Sequence, residues 1–154
     1  MTKDELLEAL ASSRDELLAA LRRLEGTDLN QGVYEGGWNR RQLVAHLASI
    51  EWTYPRVLEL PDATPEQAAA PRDTSVTVDD YNARQVEKRA GASLADLIEE
   101  FEHNRAKTIA AVEAFPADSF ARRVRSAGGT VGSLAEVMHF VAVEHVRGHL
   151  SDLY

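Results

Sequence analysis

A chain of 154 residues with 44% apolar content is long enough to bury one continuous core and short for two domains. Its formal net charge of −8 argues against a nucleic-acid or other polyanionic partner, and the lack of cysteine removes disulfide scaffolds, thiolate nucleophiles and Cys-ligated zinc. The sequence shows no signal peptide and no run of about 18 apolar residues, so a soluble cytoplasmic protein without membrane contact is expected. The one basic cluster, Arg122, Arg123 and Arg125, reads as a solvated loop.

The chain opens on a helix. Thr2 and Glu5 form a capping box, Met1 and Leu6 are placed as a hydrophobic staple, and Leu7, Leu10, Leu17, Leu21 and Leu24 mark one face up to Gly26. The leucine period runs through Ser12 and Ser13, which keeps this one helix. A connection dense in glycine and asparagine follows. The second helix begins at Asn39 as N-cap with Gln42 at its third position, and Trp38 can staple onto Leu43. Leu43, His46, Leu47 and Ile50 recur at helical spacing, and Pro55 should kink or end the helix.

Residues 59 to 78 hold three of the five prolines and little periodicity, a long connection for a compact domain. A helical lead-in is expected from Asp79 to about Arg89, interrupted by Gly91. Ser93 with Asp96 then caps a long helix whose apolar face is Leu94, Leu97, Ile98, Phe101, Ile109 and Val112, ending before Pro116. The stretch from Pro116 to Gly132 is polar and glycine-rich, with no alternation that would mark a strand. Ser133 and Glu136 cap the last helix. Its stripe, Leu134, Met138 and Val141, continues into His145 and His149.

Residues four apart sit about 40° apart around a helix and roughly 6 Å along it, so both imidazoles can reach one point beside it. A buried imidazole needs a partner, and a metal ion is one. Alone, the pair also fits two histidines hydrogen-bonded near a helix end, and a metal needs a third ligand. Val146, Arg147 and Gly148 separate the pair, so the glutamate base of an H-E-x-x-H peptidase is missing. His46 lies about 10 Å from the start of its helix, and His145 and His149 lie roughly 13 and 7 Å from the end of theirs. They reach one level only if the second and fourth helices are antiparallel. The expected fold is therefore all-α, a single four-helix bundle over residues 1–154 with up-down-down-up order, its long crossover between the second and third helices.

GWNRRQLVAHLASIEW resembles the opening signature of the DinB/YfiT-like superfamily, and EHVRGHLSDL resembles that family's closing H-x-x-x-H-L helix. The resemblance covers the whole chain in helix order. It implies a divalent metal held by His46, His145 and His149, and commonly a homodimer. It also implies kinship with bacterial S-transferases and isomerases that use mycothiol or bacillithiol. Where the family often carries Arg or Gln after the last histidine, this chain has Leu150 and Asp152. Asp152, one turn after His149, is a candidate to orient an imidazole or else a solvated acid; Glu51 is a second candidate for such support or for a general base. His103 and His139 match no ligand position and read as structural or surface residues. Trp38, Trp52 and Tyr54 read as core and pocket-lining.

Two functions fit these features. In the first, an open tri-histidine site holds a divalent metal and activates a thiol or water for transfer to a small-molecule substrate. Imidazole does not tell zinc, nickel, iron, manganese or copper apart, and no catalytic residue is assigned. In the second, the bundle is a non-catalytic, metal-stabilised binding module.

Overall fold

The structure is a computed structural model, and it describes residues 1–35, 37–71 and 76–154. The principal helices are α1 (Lys3–Arg22), α2 (Arg40–Ile50), α4 (Val76–Lys88) and α5 (Leu94–Ala114). A shorter helix, α3 (Pro65–Ala69), lies in the crossover, and the chain ends in α6 (Leu134–His139) and α7 (His145–Leu150). A π-helical turn, Phe140–Glu144, joins α6 to α7, so the two run as one rod. The capping boxes at Thr2, Asn39, Ser93 and Ser133 are all formed, each side chain accepting from the third helical amide while that residue's side chain reaches back. α1 stops at Arg22, and Gly26 turns the chain with φ +77°, a conformation that glycine adopts without penalty.

Cross-helix contacts give the order of the bundle. Lys3 donates to the carbonyls of Glu113 and Phe115, while Arg22 meets Glu102, so α1 and α5 are antiparallel. Arg41 donates to the carbonyl of Ala92 and Asn104 to that of Ala48, so α2 and α5 are parallel. Arg147 pairs with Glu16 and Tyr154 with the carbonyl of Ala20, so α7 runs with α1. The result is an up-down-down-up four-helix bundle.

Several expectations are corrected. The α-helical part of the second rod ends at Ile50, five residues before Pro55, and the chain runs on as a 3₁₀ helix over Glu51–Glu59 that contains the proline, so the rod changes its winding rather than stopping. The crossover is not featureless: Thr64 caps α3 and α4 begins at Val76, three residues before the expected lead-in. Residues 72–75 of the expected crossover lie outside the described residues. Between α5 and α6 the chain forms a two-stranded antiparallel hairpin, β1 (Arg123–Arg125) and β2 (Val131–Ser133), where no strand was expected. Only three residues per strand leave too little alternation to detect. The arginine cluster is not simply solvated. Arg122 donates to the carbonyls of Leu58 and Leu60, and Arg125 to those of Gln67, Ala70 and Pro71, pinning the crossover to the hairpin.

The core is divided. One apolar cluster holds Leu17, Leu21, Leu43, Leu47, Leu97, Phe101 and Val146; the other holds Leu6, Leu10, Tyr54, Val112, Leu134, Met138 and Val143. Along α1 and α5, the buried polar residues Ser13, Arg105 and Thr108 fall between the two.

Candidate metal centre

α2 carries His46, with only 4% of its surface exposed, between Ala45 and Leu47 of the cluster that holds Leu43 and Val146. α7 brings His145 and His149 to the same level from the opposite direction. The Nε2 atoms of His46 and His145 are 3.4 Å apart, and those of His149 and His145 are 3.1 Å apart. One nitrogen from each of the three rings lies within 4.8 Å of the others. Three nitrogens about 2.0–2.1 Å from one tetrahedral ion would be separated by about 3.4 Å, so both measured spacings suit such an ion.

The outer nitrogens differ. Tyr34 donates its hydroxyl to Asp152 at 2.8 Å, and the same oxygen lies 3.3 Å from His149 Nδ1. A hydroxyl has one proton, so His149 must donate from Nδ1 to use this contact, which leaves its Nε2 lone pair turned inward. Asp152 Oδ2 is itself 3.4 Å from that Nδ1. Tyr54 Oη lies 3.3 Å from His145 Nδ1. His46 Nδ1 is buried without a hydrogen-bond partner, its ring packed 5.0 Å from that of Trp38.

Burial and the neighbouring imidazoles lower the His46 pKa to about 3, and burial followed by His149 lowers that of His145 to about 4. Both rings are therefore neutral at physiological pH, as metal ligands must be. With His149 an acceptor at Nε2, only His145 and His46 have protons to offer this point, so the three nitrogens cannot satisfy one another fully. A shared cation would use all three lone pairs, and this donor set fits one. Tyr34 is 39% exposed and the Asp152 side chain 34%, so the site opens to solvent on their side. Burial and the hydrogen bond to Asp152 push Tyr34 up to about 12, which keeps it a proton donor.

Of the supporting residues expected from sequence, Asp152 stands beside His149. Glu51 does not stand beside an imidazole. Its two carboxylate oxygens take the buried Arg105 guanidinium at 2.6 and 3.1 Å, so as direct support for a ligand, or as an accessible base, it is corrected. His139 faces Glu144 at the edge of the π turn, away from the triad. Trp38 packs on His46 and Tyr54 is buried, whereas Trp52 is 48% exposed, with Arg56 stacked on it, at the rim of a separate cleft of about 440 Å³ beside Tyr81 and Asn104. Tyr34 had no sequence signal, since it lies in an irregular loop. Arg105 had one: it sits four residues after Phe101 and seven before Val112, on the apolar stripe itself.

The sequence matches the mycothiol maleylpyruvate isomerase N-terminal domain family over residues 4–154. The chain belongs to that family. The family lies in the DinB/YfiT-like superfamily, and solved structures agree in fold. A mycothiol-dependent maleylpyruvate isomerase superposes with a TM-score of 0.75 at 16% identity, covering 99% of this chain and 61% of the isomerase. YfiT from Bacillus subtilis, described as a probable metal-dependent hydrolase with an unusual four-helix bundle topology, superposes with a TM-score of 0.67 at 16% identity, covering 98% of this chain and 83% of YfiT. The chain thus spans about three fifths of the isomerase's length. No curated protein matches the sequence significantly. Among the described residues, no helix is long and apolar enough to cross a membrane.

Proposed function

We propose that the chain is a metal-dependent enzyme domain of this family, with His46, His145 and His149 as the ligands of a divalent metal. The observation that carries the reading is the convergence of three imidazole nitrogens, from two antiparallel helices, on one point open to solvent. Bound there, a divalent metal would supply a Lewis acid able to lower the pKa of a thiol or water toward neutrality. The chain's own residues prepare the site. Burial against Trp38 keeps His46 neutral, Tyr54 orients His145, and Tyr34 with Asp152 fixes the His149 tautomer. The open side faces the Tyr34 hydroxyl, whose proton is held by Asp152.

The family and the isomerase's printed name support a low-molecular-weight thiol such as mycothiol as co-substrate, and a small molecule as acceptor. We place residues 1–154 in one domain of a cytoplasmic protein that acts as a homodimer. Metal analysis of the purified protein, followed by S-transfer and isomerisation assays with the metal retained, tests the reading. One equivalent of metal lost in His46→Ala, together with thiol-dependent turnover, is the expected result. Metal held without any turnover would favour the metal-stabilised binding module instead.

A further inference from the structure

The last rod contains a slip that its sequence does not announce. Continued straight from Leu134 and Met138, the buried stripe would fall on Val141, Ala142 and His145. The buried residues are instead Ala142, Val143 and Val146, each one position later. The π turn at Phe140–Glu144 accounts for this, because one extra residue in a turn rotates everything after it by about 100°. Val146 thereby enters the core, and His145 and His149 move from its centre to the margin that faces α2.

A π turn puts its carbonyls out of step with the amides one turn on, and an outside donor can hold it open. Arg105 supplies that donor. Its Nη2 donates to the Ala142 carbonyl at 2.7 Å, inside the π turn. The remaining N–H groups go to Glu51, to the Leu10 carbonyl at 2.9 Å and to Ser13 at 2.7 Å, so one fully buried guanidinium ties all four rods together. Five donors meet five acceptor contacts, which leaves the group no slack.

We infer that Arg105, anchored by Glu51, is a positioning residue for the metal centre: by holding the Ala142 carbonyl it locks the one-residue slip that aims His145 and His149 at His46. This inference rests on the proposed ligand set. It gives the buried ion pair a task beyond packing, since removing the pair should disturb metal geometry even where the bundle survives.

The test is cobalt(II) binding, read by its visible absorption and by competition with a chelator. Removing one partner alone would strand a buried charge, so the informative variant is Glu51→Leu with Arg105→Met, which removes both. The double variant should stay cooperatively folded, bind cobalt about ten- to a hundredfold more weakly, and lose the intense absorption of a tetrahedral site. Wild-type affinity and spectrum in the folded double variant would overturn the inference. If that variant does not fold, the wild type decides. Coupling is reciprocal, so adding zinc must shift the Arg105 Nε–H and Ala142 amide resonances and slow their exchange, and unchanged signals would overturn it. A wild type that binds cobalt no better than His46→Ala would instead sink the ligand assignment, a distinguishable failure.

Discussion

Two buried polar clusters sit on the second rod only five residues apart, at His46 and at Glu51. The Glu51 cluster is closed: a carboxylate in bidentate contact with a guanidinium whose other protons meet two carbonyls and a hydroxyl. The His46 cluster is open: three inward nitrogens lack enough protons for one another, and His46 Nδ1 has no partner. Burial acts on both, pushing the Glu51 carboxyl upward against the pull of Arg105 and the His46 imidazole downward. A saturated buried network holds a shape. An unsaturated one at a solvent-facing edge is a place where something can bind.

The sharpest way to break that contrast is to strand a charge in the closed cluster. Arg105→Met should cost about 3–5 kcal/mol in urea denaturation of the metal-free protein, and adding Glu51→Leu should recover most of it. A loss below about 1 kcal/mol would mean that the pair is not buried as described.

Next comes pH. His46 and His145 have folded pKa values of about 3 and about 4, below the ordinary 6.5, so the unfolded chain binds more protons throughout that interval. Stability of the metal-free protein is therefore full above about pH 6.5 and falls as the pH drops toward the folded values, by up to about 1.4 kcal/mol per pH unit for each ring. Melting curves between pH 7.5 and 4.5 check the sign, and a midpoint independent of pH would contradict buried neutral rings.

Metal should bind at the open cluster. A hundredfold excess over Kd adds about 2.7 kcal/mol to the wild type, and His46→Ala should abolish that rise while remaining a folded helical protein. Collapse of the wild-type helical signal on adding chelator would make the site part of the scaffold and erase the distinction between the clusters.

The smallest effects belong to the outer nitrogens. Tyr54→Phe should weaken metal binding by about tenfold, because His145 Nδ1 then loses the hydroxyl beside it. Tyr34→Phe should weaken it less, since Asp152 remains near His149. Isothermal titration ranks the two; the reverse order would show that the Tyr34 loop, rather than the core, orients the ligands.

Much of this was legible in the residues. Capping boxes are local chemistry, one oxygen meeting one amide three residues on, so Thr2, Asn39, Ser93 and Ser133 marked their helices without help from the fold. The level of His46 against His145 and His149 required antiparallel rods, and therefore the long crossover. Other features depend on groups far apart in sequence. Glu51 looked available to an imidazole because its partner, Arg105, is 54 positions away. The hairpin over Arg123–Ser133 is too short to show its period, and its arginines looked solvated because the carbonyls they hold lie in the crossover.

The sequence by itself determined where the four capped rods begin and which three imidazoles can share a level, because periodicity and capping are encoded within a few residues. Tertiary structure alone decided how those imidazoles are aimed. The one-residue slip at Phe140–Glu144 has no residue signature. It exists because Val146 gains a place in the core and because a guanidinium from α5 takes the Ala142 carbonyl, and neither can occur before the helices pack.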